Sequence, residues 1–218
     1  MKHRILISLL VALLSVACIG VYRADGPTES RSVMLTGGAT AIAVSHGIDV
    51  VVDATLPENE ARIVTHSDVI DFVKVYVEEQ TLYVKLDAPR AISTNMLEVH
   101  VPKFGYSSLA ISAGANFLDR AYCGAELVIS ASAGAEVDIS GEVESLTVAA
   151  SAGADLSLDE LRAKSANISA SAGADVEVYV TESLVANASA GADISYKGNP
   201  TNVEVSKSAG GEVERDND

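Results

Sequence analysis

Six near-copies of Ser-Ala-Gly-Ala punctuate the C-terminal half of this chain. Five are identical, beginning at Ser112, Ser132, Ser151, Ser171 and Ser189; the last, Ser208-Ala209-Gly210-Gly211, swaps its final alanine for glycine. Their glycines stand at 114, 134, 153, 173, 191 and 210, a period of 18 to 20 residues. A period this short holds one supersecondary unit that cannot bury its own apolar face, so the units must stack into a solenoid with a continuous core.

Counting from each glycine shows what stacks on what. Five residues before come Leu109, Ile129, Val148, Ile168, Ala186 and Val205; three after come Phe117, Val137, Leu156, Val176, Ile194 and Val213. Two before is always serine, and two after is Asn116, Glu136, Asp155, Asp175, Asp193 or Glu212. Odd offsets are apolar and even offsets polar, the period-two pattern of a half-buried strand. The alternation continues across the glycine. It predicts one strand bent at the motif, with alanines on both sides of the glycine lining a close-packed wall. Each repeat is too short for a strand and a helix. It fits two or three short strands with turns at Ser140-Gly141-Glu142 and Lys197-Gly198-Asn199-Pro200. The predicted fold is all-β, a right-handed parallel β-helix with its rungs about 4.8 Å apart.

The same alternation runs upstream. Ile48–Val52, Ala61–Thr65, Phe72–Val77, Leu82–Leu86 and Leu97–Val101 read as strands, with Pro57, Pro89 and Pro102 near their ends. Residues 33–104 are therefore expected to pack as β-strands on the same stack, and residues 105–218 to form the repeat β-helix with a polar C-terminal cap. Residues 18–32 are polar, carry Gly26-Pro27 and lack a period, so they read as a tether.

Residues 1–17 read as a signal peptide: Lys2, His3 and Arg4 precede the apolar run Ile5–Ala17. That run is short for a membrane span. Cys18 follows Leu14-Ser15-Val16-Ala17, so two readings stand, a lipid anchor on Cys18 or plain cleavage at or just after this point. Both place the protein outside the cytoplasm, in the periplasm or cell envelope. Removing residues 1–17 takes away Lys2 and Arg4 and no acid, which moves the formal charge from -15 to -17. Such a surface repels nucleic acid and anionic lipid, so a membrane is expected to be met only through an anchor at Cys18. Cys18 and Cys123 are the only cysteines, too few for a disulfide scaffold. Cys123 is expected to be a small, partly buried hydrophobe.

The acids two residues after each glycine are the sharpest chemical candidates. Glu136, Asp155, Asp175, Asp193 and Glu212 form a predicted column, solvated or bridged by cations such as Ca²⁺, with nearby serines adding oxygen ligands. The serines themselves lack a base: His3, His46, His66 and His100 all lie outside the repeats and lack metal-ligand spacing. They read as a hydroxyl ladder. A carbohydrate-active enzyme of pectin-lyase-like fold would need acids converging with Arg120, Arg162 or Lys164 on one face, and the near-regular copies argue instead for a repeated structural role. No tryptophan is available to stack a sugar. No catalytic or cofactor-binding residue is assigned.

Three stretches together resemble the bacterial envelope family of putative auto-transporter adhesins with a head GIN domain. They are Ala41–Val52, Val73–Val84 and the Ser-Ala-Gly-Ala-Asp rungs, with Gly47-Ile48-Asp49 standing nearest the Gly-Ile-Asn of the family's name. The resemblance covers about residues 33–215. It implies a pectin-lyase-like β-helix without identified catalytic residues, and an adhesive, binding or scaffold role toward an envelope protein or glycan, with self-association left open.

Overall fold

The computed structural model describes residues 20–216. The predicted signal peptide and Cys18 lie outside the described residues. Strands follow one another along the whole described chain. The N-terminal part contributes β1 (Tyr22–Arg23), β2 (Thr28–Met34), β3 (Ala41–Val44), β4 (Asp49–Asp53), β5 (Glu60–His66), β6 (Val73–Glu78), β7 (Thr81–Leu86), β8 (Ile92–Ser93) and β9 (Leu97–Pro102). The repeats contribute β10 (Ser108–Ile111), β11 (Asn116–Ala131), β12 (Glu136–Ala150), β13 (Asp155–Ala170), β14 (Asp175–Ser189), β15 (Asp193–Lys197), β16 (Asn202–Ser208) and β17 (Glu212–Arg215). A single 3-10 turn at Ile70–Phe72 is the one helical piece among them. The chain is an all-β solenoid of about five turns, its parallel strands about 20 residues apart.

Each long strand bends around the stack and serves two neighbouring rungs. The first part of β12, Glu136–Asp138, pairs in parallel with Asn116–Leu118 and Asp155–Ser157, and its last part, Leu146–Ala150, pairs with Leu127–Ala131 and Ala166–Ala170. A short middle piece, Gly141–Val143, lies between Tyr122–Gly124 and Leu161–Ala163. The solenoid therefore has three faces. The face before each motif is called the neutral face below, the face after it the acid face, and the short connecting one the narrow face.

The motif is a corner, not the middle of a strand. β11 stops at Ala131, β12 starts at Glu136, and the same break recurs at every copy. Ala133, Ala152, Ala172, Ala190 and the glycine after each have φ between 51° and 73°. Two consecutive left-handed residues reverse the chain in a tight turn, closed by the Ala154 amide donating to the Ser151 carbonyl at 3.2 Å and its equivalents. Alternation survives because the turn leaves the residues on its two sides facing inward. Ala131 and Ala135 are buried while Ala133 is exposed, so only the alanine after each glycine lines the wall. Corners also bond to each other: the Gly134 amide donates to the Ala152 carbonyl at 3.1 Å, and Gly153 to Ala172 at 3.2 Å.

The upstream strands join the same stack, as expected. β3 pairs in parallel with β10 and β7, and β4 with β11 and β9. Between β3 and β4, Ser45-His46-Gly47-Ile48 makes a further corner, with His46 at φ 69° and the Gly47 amide donating to the Ala113 carbonyl at 3.0 Å. Of the expected tether, residues 18–32, the described part from Gly20 onward differs from that expectation. β2 pairs antiparallel with β5 along its whole length, Arg31 reaches Asp71 at 2.7 Å, and Ser32 donates to Glu60 at 2.6 Å. An outermost strand has little to bury on either side, so β2 carries no apolar alternation for a sequence reading to find. Ser140-Gly141 likewise does not end its strand. It is a bulge where β12 rounds the narrow face, and a Cβ on Gly141 (φ 134°) would collide with the Tyr122 carbonyl.

The core is one continuous column of Val, Ile, Leu and Ala. Fully burying each of the larger aliphatic side chains contributes about 1.5–3 kcal/mol before ordering costs. Phe104, Tyr106, Phe117 and Tyr122 form an edge-packed aromatic plug within it. The Tyr106 hydroxyl donates to Asp119, itself only 3% exposed, at 2.8 Å. Burial raises the Tyr106 phenol far above its usual value and pushes Tyr122 up to about 12.

Candidate functional site: three faces of the solenoid

The acid column forms as the spacing predicts. Glu136, Asp155, Asp175, Asp193 and Glu212 are successive register partners. Asn116 stands on the next rung, and its amide donates to Asp49 at 2.8 Å; Asp49 in turn pairs with Glu98. Asp49 and Glu98 were missed by sequence reasoning. The signal for Asp49 was present: Ser45, Gly47, Asp49 and Val50 stand at the offsets of the repeats. Glu98 sits on a β9 without a corner motif, so its register was not legible.

Two positions further along the acid face, Asp138 and Glu177 alternate with Ser157 and Ser195. The Asp175 carboxyl is held above its ordinary range, first by burial and then by Asp155 and Asp193 on the flanking rungs. A groove of about 410 Å³ runs along this face past Asp49, Asn116, Glu136 and Asp155. Among the described residues, no three His, Cys, Asp or Glu side chains come close enough to hold a metal ion. A column with one acid per rung spreads its oxygens instead of converging them.

Of the three bases named with the enzyme reading, Arg120 stands apart from the other two. Arg120 is held by Asp138 at 2.8 Å and Glu160 at 3.9 Å. Arg162 lies 4.7 Å from the ring centre of Tyr179, and Lys164 pairs with Glu144 at 2.8 Å. Arg162 and Lys164 do share a groove of about 610 Å³ on the narrow face with Glu142, Glu144 and Cys123. Lys164 holds the Glu144 carboxyl below its usual range, which makes it a poor proton donor at neutral pH. Cys123 is exposed, contrary to the expectation of a partly buried thiol. Its register partners are Glu142 and then Arg162, an outward column.

The histidines do local work. His46 Nδ1 lies 2.7 Å from the Ser45 hydroxyl at the first corner. His66 bridges the Gly26 carbonyl and Asn95, and its ring is more readily protonated than usual because of those two hydrogen bonds. His100 lies 2.8 Å from Glu98 and 3.7 Å from Asp53.

The neutral face is the surprise. Ser132, Ser151, Ser171 and Ser189 line its corner edge, as the serine ladder predicts. From β3 to the end of β14, the outward positions between the column of Val128 and the corner are all Ala, Ser, Thr, Val or Asn. Charge stands around its rim, with Glu126 one outward position before Val128, Lys85 on β7 and Glu204 on β16. In a chain of formal charge -15 this is a flat, uncharged plate spanning six strands.

Residues 108–200 match the family described as putative auto-transporter adhesin, head GIN domain. This is the family that the three stretches resemble. No curated protein matches the chain. Among solved structures, a putative adhesin from Bacteroides fragilis NCTC 9343 is similar, with a TM-score of 0.69 at 14% identity. The alignment covers 89% of this chain and 99% of that one. A putative adhesin from Parabacteroides distasonis ATCC 8503 gives 0.55 at 17% identity, over 90% of this chain and 100% of its own. A putative lipid binding protein from the same organism gives 0.52 at 14%, again over 90% and 100%. At these identities the likeness shows a shared fold alone. The names of these three structures describe putative adhesins and a putative lipid binding protein, and none describes an enzyme.

Proposed function

We propose that the protein is an exported, non-enzymatic module of the cell envelope that binds an extended partner, a surface protein or glycan, across its neutral face. The observation that carries this reading is the uncharged plate between β3 and β14 on an otherwise strongly acidic molecule. Burying charge without a partner is costly, so the face with none is the one that can be covered most cheaply. Its serine, threonine and asparagine side chains provide hydrogen-bond donors and acceptors at each rung spacing, which suits a partner that is itself extended. The family match and the adhesins among the structural neighbours support the reading.

The test is a binding assay with protein-coated beads on envelope preparations and immobilised polysaccharides. Ser130→Glu, Ala149→Glu and Ser169→Glu, combined on the neutral face, are expected to reduce capture at least tenfold. Asp155→Ser and Asp175→Ser on the acid face are expected to leave it unchanged. Equal effects from both sets would sink the assignment. Release of reducing ends from a polysaccharide by repurified protein would favour the carbohydrate-active enzyme instead.

A further inference from the structure

The C-terminal end of the neutral face is left open. β16 pairs with β14 on one edge, and among the described residues no strand pairs with its other edge. β17, made from the tail expected to cap the stack, extends the acid face by pairing with β15 and leaves β16 uncovered. Every residue of β16 is exposed. That includes two that belong to the core columns: Val203 stacks after Leu184 and is 45% exposed, and Val205 stacks after Ala186 and is 41% exposed. The next inward column runs Ala131, Ala150, Ala170, Ala188 and then Lys207. A lysine thus ends a column of buried alanines, beside two half-exposed valines and a row of unpaired backbone groups.

We propose that the open edge of β16 is a docking site for one added β-strand of a different protein, parallel to β16 and carrying a carboxylate opposite Lys207. Unpaired edges template strand addition, and a charge at an inward position restricts which strand can add. Three features specify the occupant. It is parallel, because every strand of this face from β3 to β16 is parallel to its neighbours. It presents apolar side chains beside Val203 and Val205. It brings an acid beside Lys207, since an apolar or basic residue there would cover the ammonium without a partner.

A second copy of the chain fits poorly. Two β16 edges related by a two-fold axis pair antiparallel. Setting Val203 against Val205 of the other copy opposes Glu204 to Glu204. Centring the pair on Val205 covers each Lys207 with a valine. Docking here uses the edge of one strand and not the outward side chains of the neutral face, so the two surfaces are independent.

The experiment uses the full chain and synthetic strand peptides that alternate threonine and valine, with aspartate or lysine at the inward position that falls beside Lys207. Fluorescence anisotropy should show the aspartate peptide binding wild type about tenfold tighter than the lysine peptide at low salt. Lys207→Ala should abolish the preference and Lys207→Glu should invert it. Lys207→Gln, checked by circular dichroism, guards against a folding defect. Hydrogen exchange should slow at the β16 amides when the aspartate peptide is present. Binding that ignores the charge of the peptide, protection located elsewhere, or no binding by either peptide overturns the proposal. So does a wild-type dimer whose β16 amides are already protected, which would assign the edge to a second copy. None of these outcomes depends on the bead assay, so the two readings can fail separately.

Discussion

At the scale of the residue, the corner explains why the motif is Ser-Ala-Gly-Ala and nothing larger. The alanine before each glycine adopts a conformation that L-residues resist, Ala172 having φ 52°. A branched side chain there would clash with its own backbone, whereas asparagine tolerates the left-handed region and often precedes glycine in turns of this kind. Ala172 is exposed and its corner lies mid-stack, so a replacement changes backbone strain with little change in packing. Ala172→Val is expected to destabilise by about 1–2 kcal/mol, and Ala172→Asn to be neutral or stabilising by a few tenths. Urea denaturation of the two variants beside wild type checks this. If valine and asparagine behave alike, left-handed geometry does not set the residue choice.

At the scale of the element, stacking in register turns sequence offsets into columns, and this is why so much was legible. The five acids from Glu136 to Glu212 and the strands β4, β5, β6, β7 and β9 could be read because each has a buried partner face that imposes alternation. β2 could not, since a peripheral strand has almost nothing to bury. Cys123 is exposed because the register shift between Asp119 and Tyr122 turns it outward on the narrow face, which the general preference of cysteine for the interior does not foresee. The neutral face was visible as a serine ladder, but its freedom from charge appears only when six strands are laid side by side.

The acid column also carries a cost that can be measured. Asp175 is flanked by Asp155 and Asp193, and its raised carboxyl means that folding favours its protonated form. That contribution is fully present below the unfolded carboxylate value, near 4. It is lost as pH rises through the folded value, so at neutral pH the ionised side chain opposes folding. Asp175→Asn should therefore stabilise at pH 7 by about 0.5–1 kcal/mol, the figure for a solvent-screened pair. The gain should shrink in high salt and vanish near pH 3, where wild type is protonated too. Melting curves across that range would contradict the argument if the gain were independent of pH.

At the scale of the whole molecule, the neutral face ends in unlike edges among the described residues, parallel β16 at one end and antiparallel β6 at the other, and this governs how copies could assemble. A stack that exposed matching edges at both ends would grow into a fibre, whereas contact through one edge about a two-fold axis closes at a dimer. The charge at neutral pH is -15, so copies repel over a distance that salt shortens. At β16 two local barriers add to this, Glu204 in one register and Lys207 in the other. Lys207→Ala removes the second barrier: the pairing centred on Val205 then sets the substituted alanine against Val203 and Glu204 against Ser206, with no charge covered. Sedimentation equilibrium of Lys207→Ala is expected to show a dimer that strengthens with added salt, under conditions where wild type sediments as a monomer. Adding Val205→Lys to the variant should return it to monomer. A Lys207→Ala chain that stays monomeric at millimolar concentration and high salt would mean that the lysine is not what keeps this edge from pairing with itself, and growth beyond the dimer would mean that β6, the strand at the opposite end of this face, pairs between copies as well.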